Sequence, residues 1–359
     1  MIFANNSMLM FRSRNQSPPD NEIWYYAPEQ VTLYSETNVT SHTFSGGKGV
    51  ITYSAAVTTV SQTLRGVTTV TDVMLPSTVT SMYRNAFSGC TSLALKKLPD
   101  GLTAIGNSAF SNCTNLALTE LPSGIKTLGE IAFNNCTSLA LTQLPPGLTS
   151  IPNYAFYGCT GLVLTALPSG VKSIGQSAFY GCTRLALSEL PTSLTGIGAL
   201  AFQNCSSLAL SSLPEGLTSI GDAAFQKCFS LALTVLPEGL TSIGGSAFSN
   251  CSSLALTTLP EGLTSIGSNT FRDCSSLALT SLPEGVTSIH RYAFSNCTGL
   301  MSITFLGTPA TLDAGAFNGC SNLKDIYVPW AEGEIAGAPW GATNATVHYA
   351  GSTGGGAAR

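Results

Sequence analysis

Phenylalanine occurs at 87, 110, 133, 156, 179, 202, 225, 248, 271, 294 and 317, and every step is 23 residues. Three residues after each of these stands a cysteine: Cys90, Cys113, Cys136, Cys159, Cys182, Cys205, Cys228, Cys251, Cys274, Cys297 and Cys320. These are all 11 cysteines of the chain. A strict period of this length leaves few choices. Each copy is too short to bury its own apolar face, so copies must stack, one per turn of a solenoid. Equivalent residues then lie above one another, about 4.8 Å apart where strands pair in parallel. The 359 residues therefore form a repeat body rather than two or three ordinary domains.

The common frame is L-P-x-G-[L/V/I]-x-x-[I/L]-x-x-x-A-F-x-x-C-x-x-L-x-L, as in LPEGLTSIGGSAFSNCSSLAL from Leu236 to Leu256. Pro237 and Gly239 suit a tight turn. Leu240 and Ile243 point inward from the next short segment. Phe248 supplies bulk, Ala247 allows close backbone approach, and Cys251, Leu254 and Leu256 complete the core face. The core ladders are thus Phe87, Phe110, Phe133, Phe156, Phe179, Phe202, Phe225, Phe248, Phe271, Phe294 and Phe317, with the 11 cysteines beside them.

The string I-G-x-x-A-F-x-x-C-x-x-L, as in Ile243–Leu254, resembles the BspA-like leucine-rich repeat family. The resemblance covers residues 75–328. It implies a right-handed, β-rich leucine-rich repeat solenoid with a stacked parallel sheet, here of eleven 23-residue rungs with non-repeat caps. It also implies a non-enzymatic adhesion or interaction protein at a cell surface or outside the cell. One feature departs from the family. Its usual strand, L-x-x-I-x-[I/V]-P, is followed only by Leu300, Ile303, Phe305 and by Leu323, Ile326, Val328, Pro329. The nine earlier rungs read L-A-L-x-x-L-P, with Val163 for the alanine in one, Thr or Ser at the fourth position and Lys96 in the first. Either the second leucine turns inward, or Leu95, Leu118, Leu141, Leu164, Leu187, Leu210, Leu233, Leu256 and Leu279 form an exposed ridge. The inward register is favoured, because soluble monomers avoid so large an apolar patch. An exposed ridge would be the binding or assembly surface.

The ends must close the core and the sheet edge. Residues 1–21 are polar and hold prolines, which suggests a flexible arm. Residues 22–74 form a β-rich cap: alternating strands over 22–56, then a degenerate rung over 57–74 with Val67 in the cysteine position. The solenoid occupies 75–328. A C-terminal cap over 329–349 offers Trp330 and Trp340 as a lid, with a short helix expected at 330–337 and a strand at 345–349. Residues 350–359 read as a Gly-rich tail.

Stacked cysteines have α-carbons close enough for a disulfide, but their side chains run parallel, and eleven is odd. They read as reduced, buried thiols acting as small hydrophobes, made in a reducing compartment. Val67 supports a small apolar requirement. Glu215, Glu238, Glu261 and Glu284 also stack. Neighbours at about 5 Å in water repel by only about 0.8 kcal/mol, so they read as solvated turn residues, with weak calcium binding as the alternative. No metal site and no cofactor site are expected.

The residue after each phenylalanine should point outward and is usually Ser, Asn or Gln. In two adjacent rungs it is Tyr157 and Tyr180, with Tyr154 beside them. Tyrosines on a Ser/Thr/Asn surface suit contact with a protein or carbohydrate ligand; isolated surface tyrosines are the plainer reading. The three histidines, His42, His290 and His348, fall in the cap, one rung and the terminal strand, with no catalytic or metal spacing. The glycines and lysine of SGGKGV lack the phosphate-loop spacing and belong to a hairpin. No enzyme is expected.

Hydrophobic residues make up 44% and charged residues 9%, against about 25% charged in a typical domain. The net charge of −4 provides no basic stripe, so nucleic acid is not an expected partner. No apolar run is long enough to span a bilayer. The start, MIFANNSMLMF, lacks a cationic region and is not expected to be a secretory signal, and no apolar anchor is expected at the other end. Three functional readings follow: a binding or adhesion protein facing host or extracellular protein or glycan, a phage tail-associated structural or host-binding protein, and an intracellular interaction scaffold. The oligomeric state is not legible from these features.

Overall fold

The computed structural model describes residues 17–350. They fall into two compact units, one ending at Leu148 and one beginning at Thr149. Residues 1–16 of the arm expected over 1–21, and residues 351–359 of the tail expected over 350–359, lie outside the described residues. Among the described residues there is no helix.

In the first unit, the strands are β1 (Glu22–Tyr26), β2 (Val39–Ser45), β3 (Lys48–Tyr53), β4 (Thr59–Val60), β5 (Asp72–Met74), β6 (Ser81–Met82), β7 (Ala104–Ile105) and β8 (Thr127–Leu128). An antiparallel sheet runs in the order β2-β3-β1-β5. Its β2–β3 hairpin turns on Gly46 and Gly47, both at positive φ, as a two-residue turn of this hand needs. Tyr25 is fully buried, and its hydroxyl lies 2.7 Å from His42 Nε2. A β-carbon at Gly49 would collide with the Tyr25 ring, so the strand there accepts only glycine. A parallel sheet in the order β4-β6-β7-β8 then starts the rungs.

The second unit continues with β9 (Ser150–Ile151), β10 (Ser173–Ile174), β11 (Gly196–Ile197), β12 (Ser219–Ile220), β13 (Ser242–Ile243), β14 (Ser265–Ile266), β15 (Ser281–Leu282), β16 (Ser288–Ile289), β17 (Ser302–Phe305), β18 (Thr311–Leu312), β19 (Asp325–Val328) and β20 (Thr346–Tyr349). Strands β9 to β13 pair in parallel in sequence order, and β14-β16-β18 do the same. The paired segment of most rungs is therefore the short Ser-Ile step, not the L-A-L segment. A second parallel ladder, β15-β17-β19-β20, appears only in the last rungs.

The L-A-L register explains this. All nine second leucines are buried, from Leu95 to Leu279, so no exposed ridge exists. In Leu277-Ala278-Leu279-Thr280-Ser281-Leu282, positions one, three and six face inward. Two consecutive residues must then face out, which breaks the alternation a strand requires. In Ser302–Phe305, Ile303 and Phe305 face inward with period two, and a regular strand forms.

The rung's two corners are equally local. Pro237 O accepts the amide of Leu240 at 3.0 Å and closes the first turn. At the second corner, Ser246, Phe248 and Asn250 each donate their amide to the next rung, at 2.7 to 2.9 Å. This requires left-handed residues two before and two after the phenylalanine, as at Ser246 and Asn250. The later position is Gly, Asn or Asp in every Phe-bearing rung except at Lys227 (φ 61°). The earlier one admits even the β-branched Ile131 (φ 61°).

The phenylalanines are all buried, and within each unit neighbouring rings stack with centroids 5.2 to 5.7 Å apart. The cysteines are buried free thiols. They do more than fill space. Cys113 Sγ donates to Phe87 O at 3.0 Å, Cys251 Sγ to Phe225 O at 3.0 Å and Cys320 Sγ to Phe294 O at 3.0 Å. Cys90 does the same to Leu64 O at 2.9 Å, so Leu64 holds the phenylalanine position of the preceding turn. Val67 ends this column and is only half-buried.

At the other end Trp340, 23 residues after Phe317, is fully buried, and its carbonyl accepts the Phe317 amide at 2.9 Å. Turns at Leu64 and Trp340 thus flank the 11 regular rungs, about thirteen turns in all. Trp330 and Trp340 pack edge-on, 6.1 Å apart, and both lie against Phe305. The helix expected over 330–337 does not form. Gly333 and Gly337 both adopt φ 89°, which no right-handed helix admits, and the segment runs as successive turns. The terminal strand does form, as β20, paired in parallel with β19.

Burial raises the thiol pKa values, to about 12 at Cys90 and Cys274 and about 11 at Cys320. Unfolded thiols titrate near 8.5. Below that pH both states hold their protons. Above it only the unfolded chain loses them, so native stability falls as pH rises toward the native values. Thermal melts should be flat from about pH 7 to 8 and drop steadily above about pH 9. Iodoacetamide at about pH 8 should leave the native thiols unmodified and label them all in denaturant. A second expectation concerns Lys227. Lys227→Asn, which restores the usual left-handed residue, should stabilise the protein by about 0.5–1 kcal/mol in urea titrations.

Candidate binding surface

The tyrosines singled out in the sequence come together in the second unit. Tyr157 and Tyr180 stack nearly parallel, centroids 4.6 Å apart and planes 6° apart. Tyr154 lies 6.1 Å from Tyr157, tilted by 46°. Tyr154 occupies the left-handed position before its phenylalanine (φ 56°), where Ser177 and Ser246 stand in other rungs. A tyrosine held there is directed by the backbone toward its neighbour at 157. All three rings are half-buried.

The column that follows the phenylalanines is less outward than the sequence suggests. Its serines at 111, 249 and 295 are buried. The second corner is tight enough to cover a small side chain, except at Ser88 of the first regular rung, which is half-buried, and larger ones emerge. Tyr157 and Tyr180 therefore emerge as partly exposed rings. Beyond them, Gln203 donates its side-chain amide to the Gln226 side chain one rung on. The result is a strip of two phenols and two amides without a charge. Tyr157 and Tyr180 each cover one face of the other's ring.

Polar side chains elsewhere are largely used up within the ladder. Thr218 Oγ1 donates to Thr195 O and Thr241 Oγ1 to Thr218 O, both at 3.3 Å. After the cysteine, Thr114 Oγ1 donates to Thr91 O at 3.2 Å in the first unit. Phe229 stands in this hydroxyl column and is 46% exposed. Val235 of the same rung and Met301 are more exposed still. Tyr327 stacks on His348 at 4.5 Å, and His348 Nε2 contacts Asp325 Oδ1 at 2.8 Å. Sequence reasoning missed these. The signal for Phe229 was present as an aromatic in a column otherwise filled by Ser and Thr.

His290 is exposed on its rung, and the glutamates at 215, 238, 261 and 284 are exposed turn residues. Among the described residues, no group of three or more His, Cys, Asp or Glu is placed to hold a metal ion. No described helix is long and apolar enough to cross a membrane.

The chain is 23% identical to a leucine-rich repeat protein from Bacteroides ovatus, covering 93% of this chain and all of that one, with a TM-score of 0.59. It is 25% identical to a leucine rich cell surface protein from Faecalibacterium prausnitzii, covering 88% of this chain and 96% of that one, with a TM-score of 0.54. No curated protein matches significantly. The model of the BspA type leucine rich repeat region matches residues 58–185, 132–255 and 241–336. These matches span the same turns that the phenylalanine, cysteine and leucine columns build, and the chain belongs to the BspA-type leucine-rich repeat family.

Proposed function

We propose that the chain is a non-enzymatic binding and adhesion protein that presents its repeat surface to an extracellular protein ligand, with Tyr154, Tyr157 and Tyr180 at the centre of the contact. The observation that carries this reading is the Tyr157–Tyr180 stack at 4.6 Å, set in a column that apart from Arg272 is otherwise made of Ser, Asn and Gln. Rigid aromatic rings with a polar tip supply contact area at little entropic cost. One face of each ring is taken up by the stack, which favours hydrogen bonding and edge contacts with a protein over the face-on stacking a sugar ring prefers. With 9% charged residues, electrostatic steering contributes little, and affinity must come from shape and many neutral bonds. Membership of a repeat family that serves as a binding scaffold supports the reading. So does the likeness to a leucine rich cell surface protein of Faecalibacterium prausnitzii.

Beads coated with the full chain and settled on panels of immobilised extracellular proteins and glycans test it. The triple change Tyr154→Ser, Tyr157→Ser and Tyr180→Ser should cut adhesion to the preferred protein surface at least about tenfold, the scale of a lost aromatic hot spot. The melting temperature should stay close to that of the parent. Full adhesion by the triple variant would remove the tyrosines from the interface, and adhesion confined to glycans would replace the protein ligand.

A further inference from the structure

The first turn of the solenoid has no rung before it, and the cap replaces only part of one. In regular rungs the amide of a phenylalanine donates to the carbonyl just before the next phenylalanine, as Phe87 N does to Ala109 O at 2.7 Å. The amide two residues on donates to the carbonyl just after the next phenylalanine, as Gly89 N does to Ser111 O at 2.8 Å. Leu64 holds the phenylalanine position of the first turn, so the matching acceptors there are Thr63 O and Arg65 O. Tyr34 N of the cap reaches Thr63 O at 2.8 Å. Arg65 O has no hydrogen-bond partner among the described residues.

An open cavity of about 410 Å³ lies at this place, between residues 29–34 of the cap and residues 65–69 of the first turn. Buried Val31 and Leu33 and half-buried Val67 give it an apolar side. Two side chains of opposite sign also line it, Arg65 and Glu29. Arg65 is half-buried and held on the cap. Its guanidinium carbon lies 4.8 Å from the centre of the Tyr34 ring, and Nη1 donates to the Tyr34 hydroxyl at 3.0 Å. A guanidinium fixed on an aromatic ring keeps most of its donors in a set plane, which suits a carboxylate. Glu29 is exposed. Neither Arg65 nor Glu29 has an ion-pair partner among the described residues. In a chain with 9% charged residues, one cavity thus holds an unpaired cation, an unpaired anion and an unmet carbonyl. Their complement is a small ligand that carries both charges itself.

We propose that this cavity is a second binding site, which takes a free α-amino acid with an apolar side chain. The ligand carboxylate accepts from the Arg65 guanidinium. The ligand ammonium donates to the Glu29 carboxylate, with Arg65 O as a further acceptor. The side chain packs against Val31, Leu33 and Val67. The volume lies at the lower end of the range for small-ligand sites. The site belongs to the first unit, uses none of the three tyrosines and does not rest on the role proposed for them.

The test is isothermal titration of the full chain with glycine, valine, leucine and phenylalanine. Two analogues of leucine serve as controls: leucinamide, which lacks the carboxylate, and 4-methylpentanoate, which lacks the ammonium group. Leucine should bind saturably, and each analogue at least about tenfold more weakly, the scale of a lost charge-assisted hydrogen bond. Arg65→Gln should weaken leucine at least about tenfold and leave leucinamide no weaker than it is with the parent. Glu29→Gln should weaken leucine in the same way and leave 4-methylpentanoate no weaker. Each variant is thus matched to one analogue, so a lost contact is told apart from a lost structure. Both variants should melt with the parent. Glu29 is exposed, so its comparison decides the matter even where Arg65→Gln loosens the cap. The triple tyrosine variant should bind leucine as the parent does, so loss of one site is told apart from loss of the other. No saturable binding by any of the four amino acids would overturn the proposal. Leucine binding unchanged in Glu29→Gln would overturn it too, as would 4-methylpentanoate binding as tightly as leucine, which would make the site one for simple carboxylates.

Discussion

The Phe-Cys corner is the contact on which the rungs depend. Within a rung, Phe248 O accepts the Cys251 amide at 3.0 Å. From the next rung it also accepts the Cys274 thiol at 3.1 Å. The Phe248 amide meanwhile donates to Thr270 O. One residue thus fixes its own turn and both faces of a rung boundary, while its ring joins the stacked column. A buried carbonyl with its second lone pair unmet is a mild cost, and a thiol satisfies it with little desolvation. Alanine at this place would leave a void, and a serine hydroxyl would cost more to bury. That accounts for a cysteine in every regular rung better than volume does. It also accounts for half-buried Val67: its turn is the first of the series, and no preceding phenylalanine carbonyl awaits a donor.

Much of this was legible before any coordinates. Stacked equivalents must all face in or all face out, so eleven phenylalanines and nine second leucines could hardly be on the surface. The turn at Pro237, the Gly46-Gly47 hairpin and the β20 strand were readable from residue type and local pattern. Other features were not. The paired strand of most rungs is only Ser-Ile, two residues long, too short for any periodicity to reveal. The left-handed columns were hidden because the earlier one accepts Ser, Ala, Leu, Ile and Tyr, residues that do not advertise that conformation. Residues 330–337 look helix-compatible in the sequence, but Gly333 and Gly337 take a left-handed backbone that ends any helix there. The cysteine hydrogen bond was missed since its acceptor lies 26 residues away and is a backbone atom.

For the tyrosines, the sequence showed which side chains break the column but not how they lie. The position after each phenylalanine reads as outward in the sequence, yet Ser111, Ser249 and Ser295 are buried, so a small residue there is enclosed in most rungs. The larger rings emerge because they are long, and the rung spacing then presses them face to face. The same spacing that orders the core ring stack orders the surface one. A stack built this way is rigid in advance of any contact, which lowers the ordering cost of binding.

A repeat of this kind gains stability from nearest-neighbour interfaces, so like rungs pack well and unlike rungs pack less well. The kinked L-A-L segment shows the trade. It buries an extra leucine per rung and gives up the regular ladder that straight strands would form there. Among identical kinked rungs the loss is shared evenly. Where a straight strand abuts a kinked one, the sixth position is in phase but the third and fourth are not. Whether the junction closes then depends on a two-residue pairing around the sixth position. Ser281–Leu282 against Thr304–Phe305 achieves it. At the other junction, where β5 precedes the first L-A-L rung, Met74 and Lys97 take the places of Thr304 and Ser281, and no such pair forms among the described residues. Departures from the columns, such as Tyr157 and Tyr180, therefore mark where the repeat is least regular, while column residues such as Thr218 and Thr241 bond to their neighbours.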